Sequence, residues 1–183
     1  MIIAILDANV LYPAPLRDYL LHLAAVRLYR PAWSAEIQEE WIGNLLINRA
    51  DLKRGDLEKT RKAMDAAFPA ANIRALEYKK FIATITLPDQ DDRHVLAAAI
   101  AAKANVIVTN NLKDFPSKEL DGYGVQALHP DDFVLQLIQA DRQAALAALH
   151  NQVALLRNPP LLKADVLRNL ETCGLAKSVA ALM

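Results

Sequence analysis

The chain opens on an unbroken apolar run, Ile2 to Leu6, that stops at Asp7. A continuous apolar run of this length is the pattern of a strand buried on both faces of a parallel sheet. Pro13 and Pro15 then open a helix with Leu16, Leu20 and Leu23 at helical spacing, Pro15 falling in its first turn. Arg30 to Trp33 reads as a second strand. Ser34 is a good N-cap for a helix reaching about Asn48, with Ile37, Trp41 and Leu45 four apart. Gly55 punctuates the next segment, before a helix carrying Leu57, Met64 and Phe68, whereas Ala70 to Lys80 fits helix and loop equally. The β-branched stretch Phe81 to Leu87, ended by Pro88, predicts a third strand. Asp89 predicts the cap of an alanine-rich helix from about Gln90 to Lys103. Val106 to Val108 is a further buried strand, Thr109 to Phe115 a loop, and Val125 to Leu128 a last short strand.

Strands alternating with helices imply right-handed βαβ units, and so an α/β fold: a short parallel sheet between two layers of helices. After His129-Pro130 the pattern changes. Asp132 to about Arg157 reads as one long helical stretch, Asn158-Pro159-Pro160 breaks it, and another helix begins by Lys163 and ends near Gly174. The expected division is an α/β domain over residues 1–130 and a helical C-terminal extension over 131–183.

Composition narrows this picture without changing it. With 183 residues, 54% apolar and only 5 Gly, the chain has a real core and is neither disordered nor collagen-like. Trp33 and Trp41 are expected in that core. The net charge is zero, with 21 basic and 21 acidic residues, so no broad basic excess marks a nucleic-acid binder, although acids gathered at one site would hide a basic surface from the sum. The single cysteine, Cys173, has no partner for an internal disulfide, and no Cys/His cluster has zinc-site spacing. The apolar start is too short for a signal peptide or a membrane span, so a cytoplasmic protein is expected.

The candidate chemistry lies in the acids. An open parallel sheet binds ligands beyond the carboxyl ends of its strands. Asp7 follows the first strand, Asp89, Asp91 and Asp92 follow the expected third, and Asp114 lies in the loop after the fourth. Glu39 or Glu40, on the helix starting at Ser34, could reach the same edge. Singly, each has a plainer account: a first helical turn for Asp89, Asp91 and Asp92, a turn residue for Asp114, a solvated helix face for Glu39 and Glu40. Asp7 is the exception, since an acid directly after a buried strand in an α/β pattern is usually functional. Gathered carboxylates repel one another, so together they imply a hard divalent cation or raised pKa values. A cation held in this way suits phosphodiester hydrolysis.

Four segments, in this order, resemble the PIN-domain family, the fold of VapC-type toxin ribonucleases. They are Ile5-Leu6-Asp7-Ala8-Asn9-Val10-Leu11, Ser34 through Glu40-Trp41, Pro88-Asp89-Gln90-Asp91-Asp92-Arg93-His94-Val95-Leu96-Ala97-Ala98-Ala99, and Thr109-Asn110-Asn111-Leu112-Lys113-Asp114-Phe115. The resemblance covers residues 1–128 and implies a PIN-like core with an acidic metal pocket. It implies Asp7, Glu40, Asp92 and Asp114 as the catalytic acids and as ligands of Mg²⁺ or Mn²⁺. Asn9, Thr109 and Asn111 match polar positions that orient those acids. Glu40 is preferred to Glu39 by its spacing from Ser34, and Asp92 to Asp89 by its spacing from Ala99. The segment after 130 resembles, less specifically, the helical extension of a longer VapC-like subgroup.

What the resemblance implies is an endoribonuclease that hydrolyses RNA with a metal-activated water. It implies the toxin half of a type II toxin–antitoxin pair, blocked by an antitoxin protein, and a tendency to form homodimers. Arg93 and Lys113 are candidates for touching substrate phosphates. His22, His94, His129 and His150 read as surface or partly buried side chains. The basic stretch Lys53, Arg54, Lys59, Arg61 and Lys62 reads first as a solvated helix face, with an RNA-guiding rim as its rival.

Two other classes compete. A phosphoryl-transfer or signalling module also places Asp after its first parallel strand, but a haloacid-dehalogenase-like site wants a second Asp where Asn9 stands. A receiver wants a lone Asp ending its third strand and a Lys after its last. A catalytically silent PIN-like binding protein would not need the full set of acids.

Overall fold

Residues Ile3–Leu6 (β1) lie at the centre of a five-stranded sheet in the computed structural model, which describes residues 1–183. Ala4, Ile5 and Leu6 are wholly shielded from solvent, as their unbroken apolar run demands. On one side β1 pairs with β2 (Arg30–Ser34), and beyond it lies β3 (Asn72–Ile73). On the other side come β4 (Val106–Val108) and β5 (Gln126–Leu128). Every pairing is parallel, and Ile5 stands opposite Ala32 in one neighbour and Ile107 in the other.

The chain builds β1, β2 and β3 in one direction, then returns across the sheet to add β4 and β5. Between β1 and β2 run α1 (Ala8–Leu11) and α2 (Ala14–Ala25), and between β2 and β3 run α3 (Ala35–Asn48) and α4 (Arg54–Ala67). Right-handed crossovers put these on one face and α5 (Ala75–Ile82) and α6 (Arg93–Ala102) on the other. A short α7 (Ser117–Leu120) leads to β5. The three layers of the sequence expectation are therefore present. The reversal falls between β1 and β4, and open α/β sheets bind their ligands in the crevice at such a point.

Helix α3 starts where the sequence places it. Ser34 Oγ accepts the Ile37 N–H at 3.2 Å, and Ile37, Trp41 and Ile42 are fully buried along one stripe. Trp33 is buried as well, its indole N–H donating to Asp65 at 2.8 Å.

Three sequence expectations are corrected. Phe81 to Leu87 is not a strand, because α5 runs through Ile82 and the chain beyond is irregular. Tyr78 and Ile82, one turn apart, both pack on the core, and that burial outweighs the β-branched preference. The third strand is instead the two residues of β3. Helix α6 begins at Arg93 rather than near Gln90, and Asp89 caps only the turn before it, accepting the Asp91 N–H at 2.9 Å. The long C-terminal helix is two, α8 (Pro130–Ala140) and α9 (Arg142–Leu155). They part at Asp141, whose backbone is extended and whose carboxylate caps α9 through the Ala144 N–H at 2.9 Å.

Helix α10 (Lys163–Thr172) follows the proline break, and Gly174, at a left-handed φ of 96°, turns the chain into an unforeseen α11 (Ala176–Leu182). These helices share the core of the α/β unit. Helix α9 lies on α2: the Tyr19 hydroxyl donates to the Ala145 carbonyl at 3.2 Å and the Gln152 amide to that of Pro15 at 3.0 Å. Asp131, in the first turn of α8, is only 3% exposed and reaches across to the start of α11. Its carboxylate accepts the Ser178 N–H at 2.8 Å, the Ser178 hydroxyl at 2.7 Å and the Lys177 N–H at 3.0 Å. Helix α11 has no capping side chain next to it in sequence, so Asp131 serves from a distance. No helix is long and apolar enough to cross a membrane.

Candidate active site

Asp7 leaves β1 at the point where the sheet reverses. It is 4% exposed and becomes the N-cap of α1, its Oδ1 accepting the Ala8 N–H at 2.7 Å. The other oxygen, Oδ2, accepts from the Asn9 amide at 2.6 Å and from the Thr109 hydroxyl at 2.7 Å. Thr109 comes straight after β4 and is fully buried, and its hydroxyl in turn accepts the Asn111 N–H and the Asn9 amide, each at 3.0 Å. Asn9 Oδ1 accepts the Asn110 N–H at 2.9 Å. The ends of β1 and β4 are thus tied together around one carboxylate, and its two oxygens are fixed in direction.

A polar cavity of about 330 Å³ opens over this arrangement, lined by Asp7, Ala8, Asn9, Tyr12, Glu40, Asn44, Asn48, Asp92 and Asn111. Five of the residues expected from sequence therefore meet there: Asp7, Asn9, Glu40, Asp92 and Asn111. Thr109 lies beneath, holding Asp7. Asp114, in a 3₁₀ turn over Leu112–Asp114, does not line the cavity, but its charge reaches Asp92. Glu39 points elsewhere, paired with Arg54 at 2.8 Å. Arg93 and Lys113 do not line the cavity either, and the Arg93 guanidinium donates to the Gln90 carbonyl at 3.0 Å. A larger cavity, about 670 Å³, sits at the opposite edge of the sheet among mostly apolar residues and holds no acid. Size does not identify the reactive site here, because the titratable groups converge on the smaller one.

The electrostatics carry the mark of crowded acids. Burial is the largest cause lifting the Asp92 carboxyl to about 7, followed by the charges of Asp7, Asp89, Asp114 and Glu40. Burial also raises Asp7, against the hydrogen bonds from Thr109 and Ala8. No three of the His, Cys, Asp and Glu side chains stand close enough to hold an ion between them unaided. The donor set nevertheless fits a small hard cation: all oxygen, anionic and partly open to water, as suits Mg²⁺, which keeps several of its waters.

His94 corrects the sequence expectation of a surface or partly buried side chain. It is 7% exposed, with Nε2 2.8 Å from Glu40 Oε1 and Nδ1 3.6 Å from Glu36. Burial lowers its pKa, but the Glu40 hydrogen bond and the charges of Glu40, Glu36 and Asp7 outweigh that and raise it. His94 is a countercharge that orients Glu40. The first turn of α6 brings it there, a placement invisible without the fold. Tyr12, Asn44 and Asn48 were also missed, although Asn44 and Asn48 stand four and eight residues beyond Glu40 on one helix, and that spacing was available. The basic stretch in α4 is internally paired, Arg54 with Glu58, Lys59 with Asp56 and Arg61 with Glu58, as a solvated helix face would be.

The raised Asp92 pKa has a measurable sign. The folded protein binds a proton there that the unfolded chain has released, so stability falls as pH rises from the ordinary carboxylate range to about 7. Asp92→Asn is expected to remove this slope in metal-free protein. At pH 8 it should add about 1 kcal/mol, a figure discounted because the half-exposed carboxyl is screened by water, or about 2–4 °C in Tm. Thermal melts of both proteins in chelator from pH 5 to pH 8 would read it, and an unchanged slope in Asp92→Asn would refute the assignment.

Comparison with known proteins finds likeness over two segments of the chain. A family profile described as "PIN domain" matches residues 4–113, and one described as "VapC50 C-terminal domain" matches residues 130–183. A Mycobacterium tuberculosis protein named "Putative ribonuclease VapC50" is 48% identical over 69 residues, which cover 38% of this chain and 41% of that relative. The match therefore spans less than half the length of that relative. No solved structure matches.

Proposed function

This chain belongs to the PIN-domain family, and from that premise we propose that it is a metal-dependent endoribonuclease, the toxin of a type II toxin–antitoxin pair acting in the cytoplasm. The observation that carries the reading is the meeting of Asp7, Glu40 and Asp92 in one polar cavity at the sheet reversal, with Asp114 close enough to load Asp92. The nuclease unit is residues 1–130, and residues 131–183 form a helical extension packed on it.

Asp7, Glu40, Asp92 and Asp114 would hold Mg²⁺ or Mn²⁺. Such an ion, when bound, supplies a water of lowered pKa and neutralises charge developing on the phosphoryl group. The chain's own residues do the positioning. Asn9, Thr109 and the Ala8 N–H keep the Asp7 carboxylate from rotating, so it meets the cation without reorganising. His94 holds Glu40 toward the cavity, its Nε2 lying 2.8 Å from Glu40 Oε1. Asp92 would have to be deprotonated to act as a ligand, so cation binding should strengthen as pH rises through about 7. Asn9 occupies the position where a haloacid-dehalogenase-like enzyme needs a second Asp, and it is engaged in bracing Asp7. An antitoxin would act by covering this cavity, and homodimerisation is the expected assembly.

The direct test is incubation of a mixed pool of cellular RNAs with the protein in Mg²⁺, in Mn²⁺ and in chelator. Discrete cuts that require the cation are the expected result. Intact RNA with a folded protein that does not bind the cation would leave the silent binding module as the better account.

A further inference from the structure

Beyond the acids, the cavity has a second, neutral end. Helix α3 carries Glu40 at the anionic end, and at 1.5 Å rise per residue Asn44 and Asn48 follow about 6 and 12 Å further along the same side. Tyr12, half-buried at the end of α1, forms part of the same wall. The two amides and the phenol hydroxyl are engaged in no hydrogen bond within the chain, and Asn44 and Asn48 are exposed. No carboxylate other than those of the metal end lines the cavity.

Two neutral amides without a carboxylate make a poor cation site, and they are weak partners for a phosphate beside guanidinium or ammonium groups. Each offers two donors and an acceptor, the complement of a nucleobase edge. An aromatic face beside them is the surface on which an unstacked base lies. We infer that Tyr12, Asn44 and Asn48 form a subsite for one unstacked base adjacent to the scissile phosphate, and that the base held there selects the linkage that is cut. This rests on the nuclease reading above. Bases of a duplex stay stacked within the A-form helix and cannot enter a pocket whose far wall is the metal end. Cation and base are then fixed on one rigid element, α3, through Glu40 and the two asparagines, so the base chosen sets which phosphate meets the acids. Both asparagines act as specificity residues, and Tyr12 as a platform that tolerates any base.

The test uses labelled single-stranded hexanucleotides that differ only in the base beside the central linkage, together with a duplex of the same sequence. Binding is followed by anisotropy in Ca²⁺ and cleavage in Mg²⁺, for the full chain and for Asn44→Ala, Asn48→Ala, Tyr12→Ala and Tyr12→Phe. The expected pattern is a base preference in the wild type that either asparagine substitution flattens by about tenfold. Tyr12→Ala is expected to weaken all bases alike by about tenfold, and Tyr12→Phe to restore them. A wild type without base preference, variants that keep it, or a duplex bound as tightly as the single strands would overturn the subsite. A preference lost in the variants while no form cuts RNA would uphold the subsite and sink the nuclease reading. Cutting with the preference untouched by substitution would do the reverse. Melting curves confirm that each variant, altered only at exposed or half-buried positions, remains folded.

Discussion

Asp7→Asn is expected to lower cation-dependent RNA cleavage by about 10²–10³-fold, the size of effect seen when one preorganised electrostatic group is removed from an active site. The argument is one of charge rather than shape. Asparagine keeps the outline of the side chain and one oxygen to accept the Ala8 N–H. Its amide nitrogen would face two donors, the Asn9 amide and the Thr109 hydroxyl, and only the hydroxyl can turn away. Against that loss, the buried site no longer carries the charge whose desolvation raises the Asp7 pKa. The two effects oppose, so stability in chelator should shift by no more than about 1 kcal/mol, while the gain in Tm on adding Mn²⁺ should largely vanish. Initial cleavage rates at saturating cation, with melts in chelator and in Mn²⁺, separate these effects. Retention of most activity by a folded Asp7→Asn protein would remove Asp7 from the chemistry.

The largest expected effect on stability lies far from the cavity. Asp131→Ala should cost about 3 kcal/mol, since it strands two backbone N–H groups and one hydroxyl at the buried start of α11, each worth about 1–3 kcal/mol before relaxation. In Tm this is roughly 6–12 °C for a chain of this size. Burial pushes the Asp131 pKa up, but the Ser178 and Lys177 donors outweigh it and hold the carboxyl below its ordinary value. The sign follows: its contribution is present above the ordinary carboxylate range and is lost as pH falls through the depressed value. The exposed Lys177–Asp132 ion pair adds little beside it. A double-mutant cycle with Ser178→Ala would measure the coupling. A loss below about 1 kcal/mol in Asp131→Ala would mean that α11 is held by its apolar face alone.

What could be read from sequence, and what could not, divides along physical lines. The centre of the sheet was legible because Ala4, Ile5 and Leu6, like Val106–Val108, are buried on both faces, which leaves no room for polar residues. Helix α3 was legible because a cap and an apolar stripe agree on its start. Strand β3 was not, because two residues of an edge strand, Asn72 and Ile73, carry no period. Phe81 to Leu87 misled because β-branched composition describes a preference that packing of α5 on α6 overrides. The break at Asp141 was hidden by the Leu/Ala pattern running through it, though an Asp followed by Ala144 was the cap signal available. At the site, Asp7 declared itself through the strand before it. His94 and Tyr12 did not, because their roles depend on how α6 and α1 lie against α3, and that is a property of packing rather than of spacing.

The central place of β1 also orders events during synthesis. Strand β1 needs partners on both sides, and one of them, β4, is made long afterwards. Asp7 and the Thr109 hydroxyl that braces it are 102 residues apart, so at about 5–20 residues per second Thr109 is made roughly 5–20 s after Asp7. Throughout that interval the nascent chain carries acids without a site. On the proposed reading, the cutting site does not exist until Thr109, and with it most of the α/β unit, has been translated.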